Sequence, residues 1–168
     1  PSPNQIIKYV LRRPLDFSPG DHYAYSNIGY DILGRVIEHR TGTPYAAYVQ
    51  DKILNPLGIK SMHLGKTRSQ HRAPNEVKYY DSKRRTRSVY GKDSYWNRAE
   101  RPYGAWDLEA MDAHGGWLAS AVDLVRFGSL VLNDKHSPLS SQSLARLRDR
   151  PEGPAGYEPD GSQRAVFY

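Results

Sequence analysis

Tyr25-Ser26-Asn27 places a phenol, a hydroxyl and a carboxamide on three consecutive residues. In an extended segment residues two apart point to the same side, so Tyr25 and Asn27 would face one cleft. Ser26 would then turn toward a helix that it could cap. A phenol, with an ordinary pKa near 10, is a poor base at neutral pH, and lysine ammonium groups beside it would favour the phenolate. The Asn27 side chain offers both an acceptor and a donor, enough to hold a lysine and a substrate amide together. That pair is half of an acyl-transfer site and lacks a nucleophile. Tyr-x-Asn alone carries little information, because the chain has 13 tyrosines and repeats the pattern at Tyr95-Trp96-Asn97. The ordered surroundings of Tyr25 are what distinguish it. Pro19-Gly20 precedes it, and Gly29-Tyr30, Leu33-Gly34, Thr41-Gly42 and Asn55-Pro56-Leu57-Gly58 follow.

That order resembles the serine β-lactamase and penicillin-binding-protein-like hydrolases, in the branch of class C β-lactamases, D-alanyl-D-alanine peptidases and related esterases. The segment from His114-Gly115-Gly116-Trp117 to Ser120, with Asp123, Leu124 and Phe127, resembles the same family's Gly-Gly stretch leading into a Ser-capped helix. The resemblance implies that Tyr25 is the general-base tyrosine and that Asn27 grips the acyl-amide of a substrate. It gives Gly115 and Gly116 a substrate-facing role. In this family the nucleophile is the Ser of Ser-x-x-Lys. No serine of the chain has Lys three residues later. Three imitations of the third motif, Lys-Thr-Gly or His-x-Gly, are set aside. Arg40-Thr41-Gly42 ends a helix, His63-Leu64-Gly65 comes too early, and His114-Gly115-Gly116 precedes a helix. The chain is therefore expected to be the middle of an enzyme, inactive alone and lacking the N- and C-terminal parts of its domain. The implied activity is a serine hydrolase forming an acyl-enzyme on a β-lactam, a D-alanyl peptide or an ester. The alternative is a non-catalytic, penicillin-recognition-like module that binds cell-wall peptides or polyanions.

The elements that would position these residues follow from caps and apolar spacing. Helices are expected over roughly 3–13, 26–41, 44–54, 120–133 and 141–149. Ser2 with Gln5 forms a capping box, Ser26, Ser120 and Ser140 or Ser141 stand at other starts, and Thr43-Pro44 restarts a helix after Gly42. Between Gly58 and Gly116 the pattern is short strands and turns, with Glu76 to Tyr80 read as a strand. Residues 67–101 match nothing in the family pattern, as an insertion would. The expected fold is α+β and mainly helical: the helical region of the β-lactamase/transpeptidase-like fold, with some irregular β structure and the terminal sheet largely missing. His114, near Asp112, is either an oriented base or a surface residue, the surface being the commoner place. Gly115-Gly116 could equally be a tight turn needing positive φ. Trp96, Trp106 and Trp117 either line a ligand groove or pack as core aromatics.

Composition excludes other classes. There is no Cys, so neither a disulfide scaffold nor a thiolate metal site is available. The histidines lack ligand spacing, and no metal or other cofactor is expected. Gly-x-Ser-x-Gly, Gly-x-Gly-x-x-Gly and P-loop patterns are absent, which argues against an α/β-hydrolase elbow and a nucleotide site. No run approaches the ~20 apolar residues of a membrane span. Pro1 is followed by no basic-then-apolar leader, and the family resemblance implies a periplasmic or extracellular setting. The net charge is +6, densest at Lys83-Arg84-Arg85-Thr86-Arg87. Without stacking aromatics interleaved, and with Asp81 and Asp93 flanking it, that run reads as a solvated hairpin tip or loop, and no nucleic-acid partner is expected. The expected partner is a small-molecule or peptide substrate.

Overall fold

Short side chains with oxygen acceptors start five of the six α-helices among the described residues. A computed structural model of the chain describes residues 1–81, 85–89, 98–131, 133, 137–151 and 153–165. Helix α1 (Pro3–Val10) opens on Ser2, which accepts from the Gln5 N–H while the Gln5 side chain accepts from the Ser2 N–H. It ends short of Arg13, whose guanidinium folds back over the Tyr9 ring, 4.9 Å from its centroid. Helix α2 (Asn27–Thr41) starts on Ser26, whose Oγ accepts from the Gly29 N–H at 3.1 Å. It stops at Gly42, where φ is 66°. Glycine adopts that left-handed cap without a Cβ penalty.

Helix α3 (Tyr45–Val49) follows at once, flanked by Pro44, and has no side-chain cap of its own. Glu38 of α2 serves instead, its Oε1 accepting from the Tyr45 N–H at 2.9 Å. The helix widens into a π-helical turn over Gln50–Leu54, with the Asn55 N–H reaching back to the Gln50 carbonyl at 2.8 Å. Only the first half of the stretch expected over 44–54 is thus α-helical. Gly58, with φ 69°, then turns the chain so that Leu54, Leu57, Ile59 and Met62 close into the main buried cluster. Val49, Ile53, Trp117, Phe127 and Leu130 pack around it.

Two short antiparallel ribbons follow. Strand β1 (His63–Leu64) pairs with β4 (Trp117–Leu118), and β2 (Arg85–Arg87) pairs with β3 (Arg98–Glu100). Glu76 to Tyr80 forms no strand, contrary to its alternating pattern. No neighbouring strand offers it a ladder among the described residues, and the Tyr79 N–H donates to the Tyr103 hydroxyl at 2.8 Å.

Helix α4 (Leu108–Gly115) has no counterpart in the expected elements. Asp107 caps it, accepting from the Ala110 N–H at 3.0 Å, and Glu109 lies in its first turn. The fully buried Thr67 ties down its start by accepting from the Leu108 N–H at 2.7 Å and donating to Glu109 at 2.9 Å. The helix kinks at Asp112, whose backbone is non-helical. Helix α5 (Ala121–Val131) begins at Ser120, which accepts from the Asp123 N–H at 3.1 Å. Helix α6 (Ser141–Arg148) begins at Ser140, which accepts from the Ser143 N–H, and buries Leu144. No described helix is long and apolar enough to cross a membrane.

Candidate active site

The Ser26 cap decides how Tyr25 and Asn27 are presented. Ser26 itself is extended (φ −138°, ψ 106°), but Asn27 is already the first residue of α2. The two-residue alternation expected of an extended strand therefore stops at Ser26. All three residues are exposed, Tyr25 to 66%. Neither the phenol nor the carboxamide is sealed inside the chain.

Behind Asn27, the next turns of α2 carry a polar face. Asp31, Gly34, Arg35 and Glu38 recur at the three-and-four spacing of one helix side. Gly34 brings the backbones together, since a Cβ there would lie 2.6 Å from that of Ala113. Asp31 is 2% exposed, and its Oδ1 stands 2.7 Å from Nδ1 of His114. Arg35 donates to Asp112 at 2.5 Å and lies 3.3 Å from Glu38. His114 is accordingly not a surface residue; its ring is largely covered and bonds Asp31 of another helix rather than the nearby Asp112.

The Gly-Gly segment emerges from this interface. Gly115 ends α4, and Gly116 caps it with φ −84°, so neither glycine occupies a positive-φ turn. What Gly116 requires is space: a Cβ would meet the Asp112 Cα at 3.0 Å and the Leu108 carbonyl at 3.1 Å. Its own carbonyl accepts from the Gly65 N–H at 2.7 Å and so starts the β1–β4 ribbon. Asn27 and Asp31 are neighbours one turn apart on α2, and His114 precedes Gly115 directly. The Asp31–His114 bond thus joins the Tyr-Ser-Asn helix to the Gly-Gly segment. Sequence spacing gave no sign of it, because the two residues are 83 positions apart.

Two further polar centres lie beyond. Asp123, at the start of α5, receives the hydroxyls of Ser61 and, at 2.8 Å, Ser120. The Ser61 bond first, and the Ser120 bond second, hold its carboxyl below the ordinary carboxylate range. Ser61 thereby spends its proton on a carboxylate; His63 Nδ1 reaches only the Ser61 carbonyl, at 2.8 Å. The Tyr45 hydroxyl accepts from Trp117 Nε1 at 3.1 Å, and burial above all raises its phenol pKa. Trp117 also lines a cleft of about 510 Å³ with Val77, Tyr79, Leu118 and Leu124, whereas Trp106 is 40% exposed and Trp96 lies outside the described residues. Tyr25, Asn27, Gly115 and Gly116 do not line that cleft. Among the described residues no group of three acidic, His or Cys side chains is arranged to hold a metal. Of the motif imitations, Arg40-Thr41-Gly42 closes α2 and His63-Leu64 forms β1.

A family model described as Beta-lactamase matches residues 1–165. This chain belongs to the Beta-lactamase family. The "Putative D-alanyl-D-alanine carboxypeptidase" of Escherichia coli (strain K12) is 38% identical over 55 residues, 33% of this chain and 13% of that protein. The N-acetylmuramyl-L-alanine amidase of Bacillus subtilis (strain 168) is 37% identical over 57 residues, 34% of this chain and 13% of that protein. Among solved structures, a D-stereospecific amidohydrolase from Streptomyces sp. superposes with a TM-score of 0.66 at 22% identity, covering 95% of this chain and 42% of that one. A penicillin binding protein from Bacillus halodurans gives 0.62 at 16% identity, covering 99% and 44%. At such identities the likeness shows the fold: this Beta-lactamase-family chain is a mainly helical portion of it. The chain spans less than half the length of these solved relatives.

Proposed function

We propose that this chain supplies the Tyr-Ser-Asn wall of a serine hydrolase that forms an acyl-enzyme on a β-lactam, a D-alanyl peptide or an ester. Tyr25 acts as the general base, and Asn27 holds the acyl-amide of the substrate. Gly115 and Gly116 give the substrate a place to pass beside them. The nucleophile is a Ser-x-x-Lys serine outside residues 1–168, for none of the chain's serines has the partner lysine.

The observation that carries this proposal is the exposure of Tyr25 and Asn27 at the capped start of α2, within a Beta-lactamase match spanning residues 1–165. Relatives named as carboxypeptidase and amidase support the class of reaction, acyl transfer from a nitrogen leaving group. In the first step the serine attacks the carbonyl while its proton passes toward Tyr25 and on to the leaving atom, nitrogen in a lactam or peptide and oxygen in an ester. In the second, water attacks the acyl-enzyme ester as Tyr25 takes its proton; the bond from the acyl carbon to the serine oxygen breaks, that oxygen regains the proton, and the acid is released.

The test is covalent labelling of the full protein, including its Ser-x-x-Lys segment, by a fluorescent penicillin. Tyr25→Phe is expected to slow labelling about 10²- to 10⁴-fold, the usual contribution of a general base. Asn27→Ala is expected to raise the penicillin concentration needed. Labelling at the wild-type rate in Tyr25→Phe would remove the phenol from the mechanism.

A further inference from the structure

Helix α4 is not straight, and its last turn carries the Gly-Gly segment. The kink falls at Asp112, just before His114 and Gly115. Two polar bonds to α2 hold the kinked turn. Arg35 donates to Asp112 at 2.5 Å, and Nδ1 of His114 stands 2.7 Å from Oδ1 of Asp31. Gly34 lies between Asp31 and Arg35 along α2 and permits the close approach, since a Cβ there would lie 2.6 Å from that of Ala113. Asn27 stands one turn before Asp31, and Gly115 follows His114 directly. The Asp31–His114 bond is therefore the nearer of the two to both parts of the acyl-transfer site.

Stability alone does not call for this pair. Asp31 is 2% exposed, and the His114 side chain is 12% exposed. Removing a carboxylate from water has a cost that a partner only partly offsets, and well-packed apolar residues in place of a buried polar pair are often as stable or more so. What an apolar contact lacks is direction. A hydrogen bond prescribes a distance and an angle, and so fixes how one helix is set against another. Asp31, as a carboxylate, only accepts, so Nδ1 of His114 is the donor. Nε2 of the same ring has no hydrogen-bond partner among the described residues and takes no part in holding the helices.

We propose that Asp31 and His114 are a positioning pair, whose bond holds Asn27 and Gly115-Gly116 at the separation that the substrate's acyl-amide needs. The inference rests on the acyl-transfer reading above and adds two residues that act through Asn27 and the glycines rather than on the substrate. On its far side the Gly-Gly segment is anchored separately, the Gly116 carbonyl accepting from the Gly65 N–H at 2.7 Å. On the α2 side the Asp31–His114 bond is the anchor next to it. Without that bond the last turn of α4 is free to shift along α2, carrying the glycines away from the carboxamide. A displacement of about 1 Å in a reacting site slows it on the order of 10²-fold.

The test is the second-order rate constant for labelling of the full protein by fluorescent penicillin, taken per folded molecule and read beside denaturant melts. Asp31→Ala with His114→Leu, close to the original pair in combined size, is expected to unfold near the wild-type denaturant concentration yet to label about tenfold or more slowly. His114→Asn, whose amide nitrogen takes the place of Nδ1, is expected to recover most of the lost rate although it has no Nε2. In an Asn27→Ala background the apolar pair is expected to slow labelling by about threefold or less, because the carboxamide it would misplace is already gone. Wild-type labelling by the apolar-pair variant, an equal factor in both backgrounds, or no recovery by His114→Asn would overturn the pair's role and leave acyl transfer by the full protein standing. If the wild-type full protein is not labelled at all, the acyl-transfer reading fails and this inference fails with it.

Discussion

Asp31 and His114 show how much of the site's support depends on single side chains. A carboxylate as covered as that of Asp31 needs a donor, and His114 Nδ1 is the one within 2.7 Å. His114→Ala is expected to destabilise the protein by about 1–3 kcal/mol, the usual consequence of orphaning a buried acceptor. His114→Gln, which can still donate, should recover part of it, and denaturant melts of the two variants check the difference. Asp123 gives a pH prediction. Its carboxyl is held below the ordinary range in the fold by Ser61 and Ser120. Its contribution is therefore complete at neutral pH and lost as pH falls from the ordinary carboxylate value through the depressed one. Asp123→Asn should flatten the acid limb of thermal stability against pH; an unchanged limb would contradict the assignment. At this scale the sequence was readable where chemistry is local. Ser2, Ser26, Ser120 and Ser140 cap helices three residues onward, whereas the Asp31–His114 and Arg35–Asp112 bonds span 83 and 77 positions and leave no periodic trace.

Among the elements, the α2–α4 contact sets the relation between the Tyr-Ser-Asn start and the Gly-Gly segment. Gly34 is its closest point, and Gly34→Ala would push a methyl against Ala113. An overpacking cost of about 1–3 kcal/mol is expected. In the full protein the same change is expected to slow penicillin labelling as well, since α2 and α4 would part. Helix α4 was legible in principle: Asp107 is a good cap, Glu109 suits the first turn, and Leu, Ala and Met follow. The Gly and Pro residues before it, and Gly115-Gly116 at its end, are the marks of turns and mask it. Glu76 to Tyr80 misleads in the opposite direction, reading as a strand where none forms. Its residues favour β structure, but a strand needs a neighbour, and alternation in one segment says nothing about whether one exists. Of the basic run, Lys83 and Arg84 lie outside the described residues, while Arg85–Arg87 form β2 of an antiparallel two-stranded ribbon.

For the whole molecule, the surface is too large for a self-contained globule. A compact monomer of 19.1 kDa exposes about 8,400 Å², whereas this chain exposes 12493 Å². Val122, Leu124 and Val125 on α5 and Leu33 and Val36 on α2 are all about half exposed or more. The mean hydropathy of −0.74 pointed the same way, toward a chain with little core of its own. The 168 residues alone are expected to bind a hydrophobic dye such as ANS more strongly than the full protein does; equal, weak binding would show that these faces need no cover. The overall fold class was legible because an ordered set of turns and caps runs through it. The most direct measurement is intact mass spectrometry after incubation with penicillin. The full protein should gain one penicilloyl adduct on the serine of a Ser-x-x-Lys outside residues 1–168, and the 168-residue chain should gain none. An adduct on a serine within residues 1–168, or none on the full protein, would contradict the assignment of Tyr25 and Asn27 to a serine acyl-hydrolase.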